Sequence, residues 1–190
     1  MENANKKTLT LQIAITAILL AICIVSQIFK SLSVYITGPI VNLCIIIVTM
    51  SAGLMWGIIL SVITPITAYL IAASPVMSAV PGIIPLIMLG NAVLSLMVYF
   101  VFRPSVSDQK PLLSVRSIVT AILSCVAKGL IMGLTIALWL LPTFIPAESP
   151  LRGKLPVFQT TFSITQFITA LIGFVYFFII WKALCKALKL

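Results

Sequence analysis

The sequence predicts an all-α membrane protein with six transmembrane helices and both termini in the cytoplasm. Composition, the spacing of apolar runs and the placement of basic residues carry that expectation. Of 190 residues, 62% are hydrophobic and 8% charged, with a mean hydropathy of +1.27. Soluble domains are about a quarter charged. A helix needs about 20 predominantly apolar residues to cross a bilayer, and the apolar runs leave no room for a soluble domain beside them.

The first span is expected from Thr8 to Phe29. It follows a polar start containing Lys6 and Lys7, which resembles the beginning of a signal peptide. The run is too long for a signal-peptide core and no A-x-A cleavage site ends it, so an uncleaved helix is expected. The second segment, Gly38 to Met50, opens on Gly38-Pro39 and is short for a span at 1.5 Å per residue. It either tilts, is shielded by neighbours, or starts in the loop before it. The third runs from Ala52 to Ala73 and contains Pro65, which frees one backbone carbonyl that Thr64 or Thr67 could satisfy. The fourth covers Pro81 to Phe102, the fifth Ser114 to Leu141 and the sixth Val157 to Leu184.

Six crossings put both termini on one side. That side receives eight basic residues: Lys6, Lys7, Arg103, Lys110, Arg116, Lys182, Lys186 and Lys189. The opposite loops hold three, Lys30, Arg152 and Lys154. The excess marks the cytoplasmic side, and it accounts for the net charge of +9 without nucleic acid. The loops 30–37, 74–80 and 142–156 then face outward. Trp56 and Trp181 fall near the cytoplasmic edge, where indoles anchor spans, and Trp139 falls near the outer edge. Tyr35 is read as an interface aromatic or a lid. The four cysteines lie in apolar runs without CxxC spacing, and there is no histidine. Metal and Cys–His chemistry are not expected, nor is any cofactor.

Lys128 is the residue that asks for a function. It is the single charge in the fifth span, and a charge at a span centre costs about 2.5–3.5 kcal/mol on insertion scales. Such a residue faces a protein interior or a wet cavity, as an ammonium or as an uncharged amine donor. Helical spacing aligns it with Ala121, Ser124, Thr135 and Trp139. Gly129 and Gly133 form a GxxxG on an adjoining face, which suits close helix packing. On the sixth span Gln159, Ser163, Gln166, Ala170 and Gly173 recur at helical spacing, predicting one small-polar face. Gln166 lies about 10 Å below Gln159 at the helical rise, toward the depth of Lys128. The fourth span adds Asn91, and the second Asn42. Asn91, Lys128, Gln159, Ser163 and Gln166 are the candidate substrate-binding residues, with interhelical hydrogen bonding the competing role. Glu148, Arg152 and Lys154 are expected as a small charged cluster in the Pro-rich last outer loop.

The first helix also carries Ala17-Ile18-Leu19-Leu20-Ala21, an AxxxA whose small residues let another helix approach closely. With the length, six spans, basic N-terminus and polar outer faces of the late helices, the chain resembles the substrate-binding S component of an energy-coupling factor (ECF) vitamin transporter. The resemblance covers the whole layout, with 1–190 as one six-helix substrate-binding domain. It implies a subunit of a bacterial plasma membrane that captures a small vitamin or vitamin precursor from outside. It also implies docking through Ala17 and Ala21 on a transmembrane T subunit driven by two ATPases. The chain has no Walker A motif, so energy would come from those partners. The amides suit a neutral, multiply hydrogen-bonding ligand such as pantothenate or a pyridoxine- or pyrimidine-like compound, and Lys128 suits a carboxylate or electron-rich oxygen.

Three other readings compete. Ser124 and Lys128 stand at i and i+4, a spacing open to a hydrolytic dyad, but no acid lies within a span and no enzyme is expected. A six-span scaffold has no reason for a polar face reaching a buried charge. A stand-alone secondary carrier would need no ATPase.

Overall fold

The computed structural model describes residues 2–29, 34–106 and 112–188, and their regular structure is entirely helical. Lys30, Lys110 and Lys189, used above for orientation, lie outside these residues, as does the first half of the loop 30–37. Six runs are long and apolar enough to cross a bilayer: Leu9–Ile28, Val34–Ser51, Leu54–Ala72, Ile83–Ser105, Val115–Phe144 and Arg152–Ala187.

Helix α1 spans Glu2–Ile28 and presents two contrasting faces. Ile15, Thr16, Leu19, Cys23, Ser26 and Gln27 are buried, while Ala17, Ala21, Ile18, Ile22 and Val25 face outward. Helix α2 spans Val34–Ser51 with Pro39 inside it, so the second segment starts in the preceding loop and not at Gly38. Pro39 lies within the first two turns. The carbonyl it leaves unpaired belongs to Tyr35, near the helix end. At 18 residues α2 is a full span, and it is the most buried of the six.

Helix α3 runs Leu54–Ala72 through Pro65. Neither threonine reaches the Ser61 carbonyl that Pro65 releases. Thr67 Oγ1 donates to Thr64 O at 3.0 Å, and Thr64 Oγ1 has no hydrogen-bond partner among the described residues. A short helix α4 (Pro75–Ala79) precedes α5 (Ile83–Met97), which continues through a π turn at Val98–Phe102 and a 3-10 turn at Arg103–Ser105.

Helix α6 (Val115–Met132) begins at Ser114, whose hydroxyl accepts from Ser117 N at 3.1 Å and caps the first turn. From Gly133 to Leu140 the same run widens into a π-helix, then closes as α7 (Leu141–Phe144). The sixth span is not one helix. Helix α8 (Leu155–Thr161) stops at Phe162–Ser163, and α9 (Ile164–Leu188) begins anew. Side chains cover the loosened carbonyls at that break. Gln166 Nε2 donates to Thr161 O at 3.1 Å and Ser163 Oγ to Gln159 O at 2.6 Å.

Six crossings bring both termini to one end of the bundle. There Phe102, Phe174, Phe177 and Phe178 pack edge to face, and Trp181 stacks on Phe177 at 4.8 Å. At the other end a second apolar cluster of Val76, Met77, Ile83, Met132, Ile136 and Leu141 sits beneath the loops. The expected GxxxG does join two helices. A Cβ added at Gly129 would meet Phe167 Cβ at 3.0 Å, and one at Gly133 would meet Ser163 Cβ at 3.2 Å. Larger residues there would force α6 and α9 apart.

Candidate functional site

A cavity of about 330 Å³ occupies the end of the bundle opposite the termini. It is bounded by the end of α1, the start of α2, the end of α3, α4, α5, α6, α8 and the start of α9. Its wall is largely apolar, with Val41, Pro65, Met77, Ile87, Phe158 and Phe162 among the lining residues. Val157, 63% exposed, stands at its rim.

Two polar groups interrupt that wall. The first is built around Lys128, which is only 2% exposed. Its Nζ donates to Asn91 Oδ1 at 2.7 Å and to Asn42 Oδ1 at 2.5 Å. Asn42 Nδ2 in turn donates to Thr169 Oγ1 at 3.3 Å, whose hydroxyl donates to Gln166 O at 3.2 Å. Four helices, α2, α5, α6 and α9, are thus tied at one node. The sequence contains only three acids, Glu2, Asp108 and Glu148, and Glu148 is exposed in the loop between the fifth and sixth spans. The amine is held by neutral amide oxygens. A lysine ammonium has three donors and two are taken by the asparagines, leaving one for another acceptor.

The second group joins α1 to α3. Gln27 Nε2 donates to Thr64 O at 3.0 Å, while Gln27 Oε1 and Thr64 Oγ1 are buried without hydrogen-bond partners among the described residues. Both residues are 1% exposed and both line the cavity. Nearby, Thr37 Oγ1 donates to Ser26 O at 3.2 Å and fastens α2 to α1.

Asn91, Lys128 and Gln166 of the candidate residues line the cavity, and Asn42 joins them. Gln159 and Ser163 are off its wall. Gln159 Nε2 donates to Ala137 O at 2.9 Å inside the π segment, and Ser163 packs against Gly133. The break at Phe162–Ser163 and the π-helix facing it redirect that face into helix packing. Trp139 is 58% exposed and meets Phe144 edge to face at 6.4 Å, away from the cavity. Tyr35 is exposed and off the wall. Arg152 Nη1 donates to Pro142 O and Ile145 O at 3.0 and 2.9 Å, so its guanidinium pins the loop backbone. Ser124 Oγ donates to Thr120 O at 2.8 Å while Lys128 turns to the asparagines, so the two form no nucleophile–base bond.

Gln27 was not singled out from the sequence, and Thr64 only as a partner for the carbonyl that Pro65 frees. Their signal was present: Thr16, Cys23 and Gln27 fall on one face of the first span, and an amide in an apolar span is costly without a partner.

A family model described as ECF transporter, substrate-specific component, matches residues 11–188. The chain belongs to this family. No curated protein and no solved structure matches the chain. As an ECF substrate-specific component it is a subunit of a membrane transporter, and its six apolar helices agree with a multi-pass membrane protein. Ala17 and Ala21 of this S component lie on the outward face of α1, unburied by its own helices.

Proposed function

We propose that this S component captures a small vitamin or vitamin precursor in the cavity around Lys128 and delivers it through an ATP-driven ECF module. One observation carries the reading: a buried amine, held by neutral amides among the described residues, lines a cavity of about 330 Å³. Desolvating an amine is costly, and packing alone gives no reason to keep it beside a void. An oxygen-bearing ligand would use its remaining donor. Asn91, Asn42 and Gln166 would complete the contact, while Gln159 and Ser163 would position α8 and α9. The cavity volume lies near the lower end of the range for ligand pockets, about 300–1,000 Å³, which suits a small metabolite.

The outward α1 face with Ala17 and Ala21 would dock on the transmembrane T subunit, with two ATPases behind it. The excess of basic residues supports cytoplasmic termini, which places the cavity on the outer side of a bacterial plasma membrane. The single domain would comprise 1–190.

A melting-temperature screen of the purified protein in lipid nanodiscs against water-soluble vitamins and their precursors tests the capture step. At least one compound should raise Tm, because binding to the folded state alone stabilises it. Lys128→Met should weaken that compound's binding more than tenfold, and unchanged affinity would remove Lys128 from the site. Ala17→Trp should leave binding intact and abolish uptake by cells carrying the ECF partners. Normal uptake would dismiss the docking role.

A further inference from the structure

We propose that Gln27 and Thr64 form a second recognition pole in the cavity, one that reads an N–H or O–H donor on the substrate. The inference rests on the capture reading above and narrows its substrate class. The orientation of the Gln27 amide is set by its own bond. Nε2 donates to Thr64 O, so Oε1 is the atom left over, and it can only accept. Thr64 Oγ1 can both accept and donate. A helical threonine ordinarily returns its hydroxyl to a carbonyl three or four residues back, as Thr16 and Thr49 do here. Thr64 does not.

Two orphan polar atoms on adjacent helices, both on residues 1% exposed and lining one cavity, are rare in a folded interior. Neither has a partner among the described residues, and each is chemically matched to a hydroxyl, amide or ring N–H. The pole at Lys128 has the opposite character, because its remaining group is a donor. The rest of the wall is largely apolar and includes Val41, Pro65 and Ile87. The substrate class that satisfies both poles is a small molecule with a carboxylate or carbonyl oxygen at one end. Its other end carries an N–H or O–H group, and its middle is apolar. A ligand with two anionic ends would leave Gln27 Oε1 facing negative charge and is excluded from this class.

The test uses full-length protein in lipid nanodiscs, exposed to the dialysable fraction of yeast extract, washed and read by mass spectrometry. Wild type should retain a compound that carries an N–H or O–H donor. Thr64→Val keeps the shape but removes the hydroxyl, and should lower retention about tenfold without lowering Tm. Thr64→Ser should restore retention, and Gln27→Met should also lower it about tenfold. Full retention by Thr64→Val and Gln27→Met, with loss only in Lys128→Met, would overturn this pole and leave the capture reading standing. A marked fall in Tm for Thr64→Val would assign the hydroxyl a structural role and overturn it likewise. So would a retained compound without any N–H or O–H. Retention of nothing by wild type would count against the capture reading itself, and this pole with it.

Discussion

The two ends of the bundle solve the same packing problem in opposite ways. At the end carrying the termini, Phe102, Phe174 and Phe177 are fully buried and fill the space between helices with rings about 5–6.5 Å apart, the range in which aromatic pairs attract. At the far end the helices frame a cavity of about 330 Å³ and line it with an amine, four amides and hydroxyls. Close packing is the ordinary state of protein interiors, so the filled end needs no functional explanation and the hollow end does. Two backbone irregularities, the π segment Gly133–Leu140 and the break at Phe162–Ser163, fall on this half, while a shorter π turn, Val98–Phe102, falls on the filled half.

The contrast can be broken from either end. Phe177→Ala removes a fully buried ring from the filled end and should cost about 3–5 kcal/mol of stability. It should give the largest fall in Tm in nanodiscs, with ligand affinity unchanged in the protein that remains folded. An altered affinity would mean the two ends are coupled. Gly133→Leu drives a side chain toward Ser163 and should cost about 1–3 kcal/mol, splaying α6 from α9 and weakening both stability and capture. Loss of stability alone would show that the break at Ser163 does not shape the cavity. Lys128→Met differs from Phe177→Ala in its effect on the ligand. Binding should fall more than tenfold, about 1.4 kcal/mol or more, beside a stability loss of about 1–3 kcal/mol from the asparagine oxygens left without a donor. Gln159→Leu is the mildest case. It loses a bond to Ala137 O and should cost about 0.5–1.5 kcal/mol with no effect on affinity. Weakened binding would return Gln159 to the site.

The spans were legible because hydropathy reports them directly, and Lys128 because a lone charge in an apolar run is conspicuous. Asn91 was legible as a candidate residue of the fourth span, but its bond to Lys128 was one of several open to it. What escaped was backbone geometry. Pro39 read as a helix start, yet a proline near the first turns is tolerated, and α2 begins at Val34. No proline or glycine pair marks the break at Phe162–Ser163, so Gln159, Ser163 and Gln166 read as one face. The break leaves only Gln166 on the cavity wall. Gln27 and Thr64 meet only through tertiary contact between α1 and α3, 37 residues apart, and helical periodicity within one span cannot reveal such a pair.

The most direct measurement is a structure of the purified protein carrying the small molecule it retains. Density for that molecule should lie inside the cavity, with an oxygen within about 3.2 Å of Lys128 Nζ and the asparagine bonds kept. Density elsewhere on the protein, with the cavity empty and Lys128 touching only Asn42 and Asn91, would contradict capture at this site.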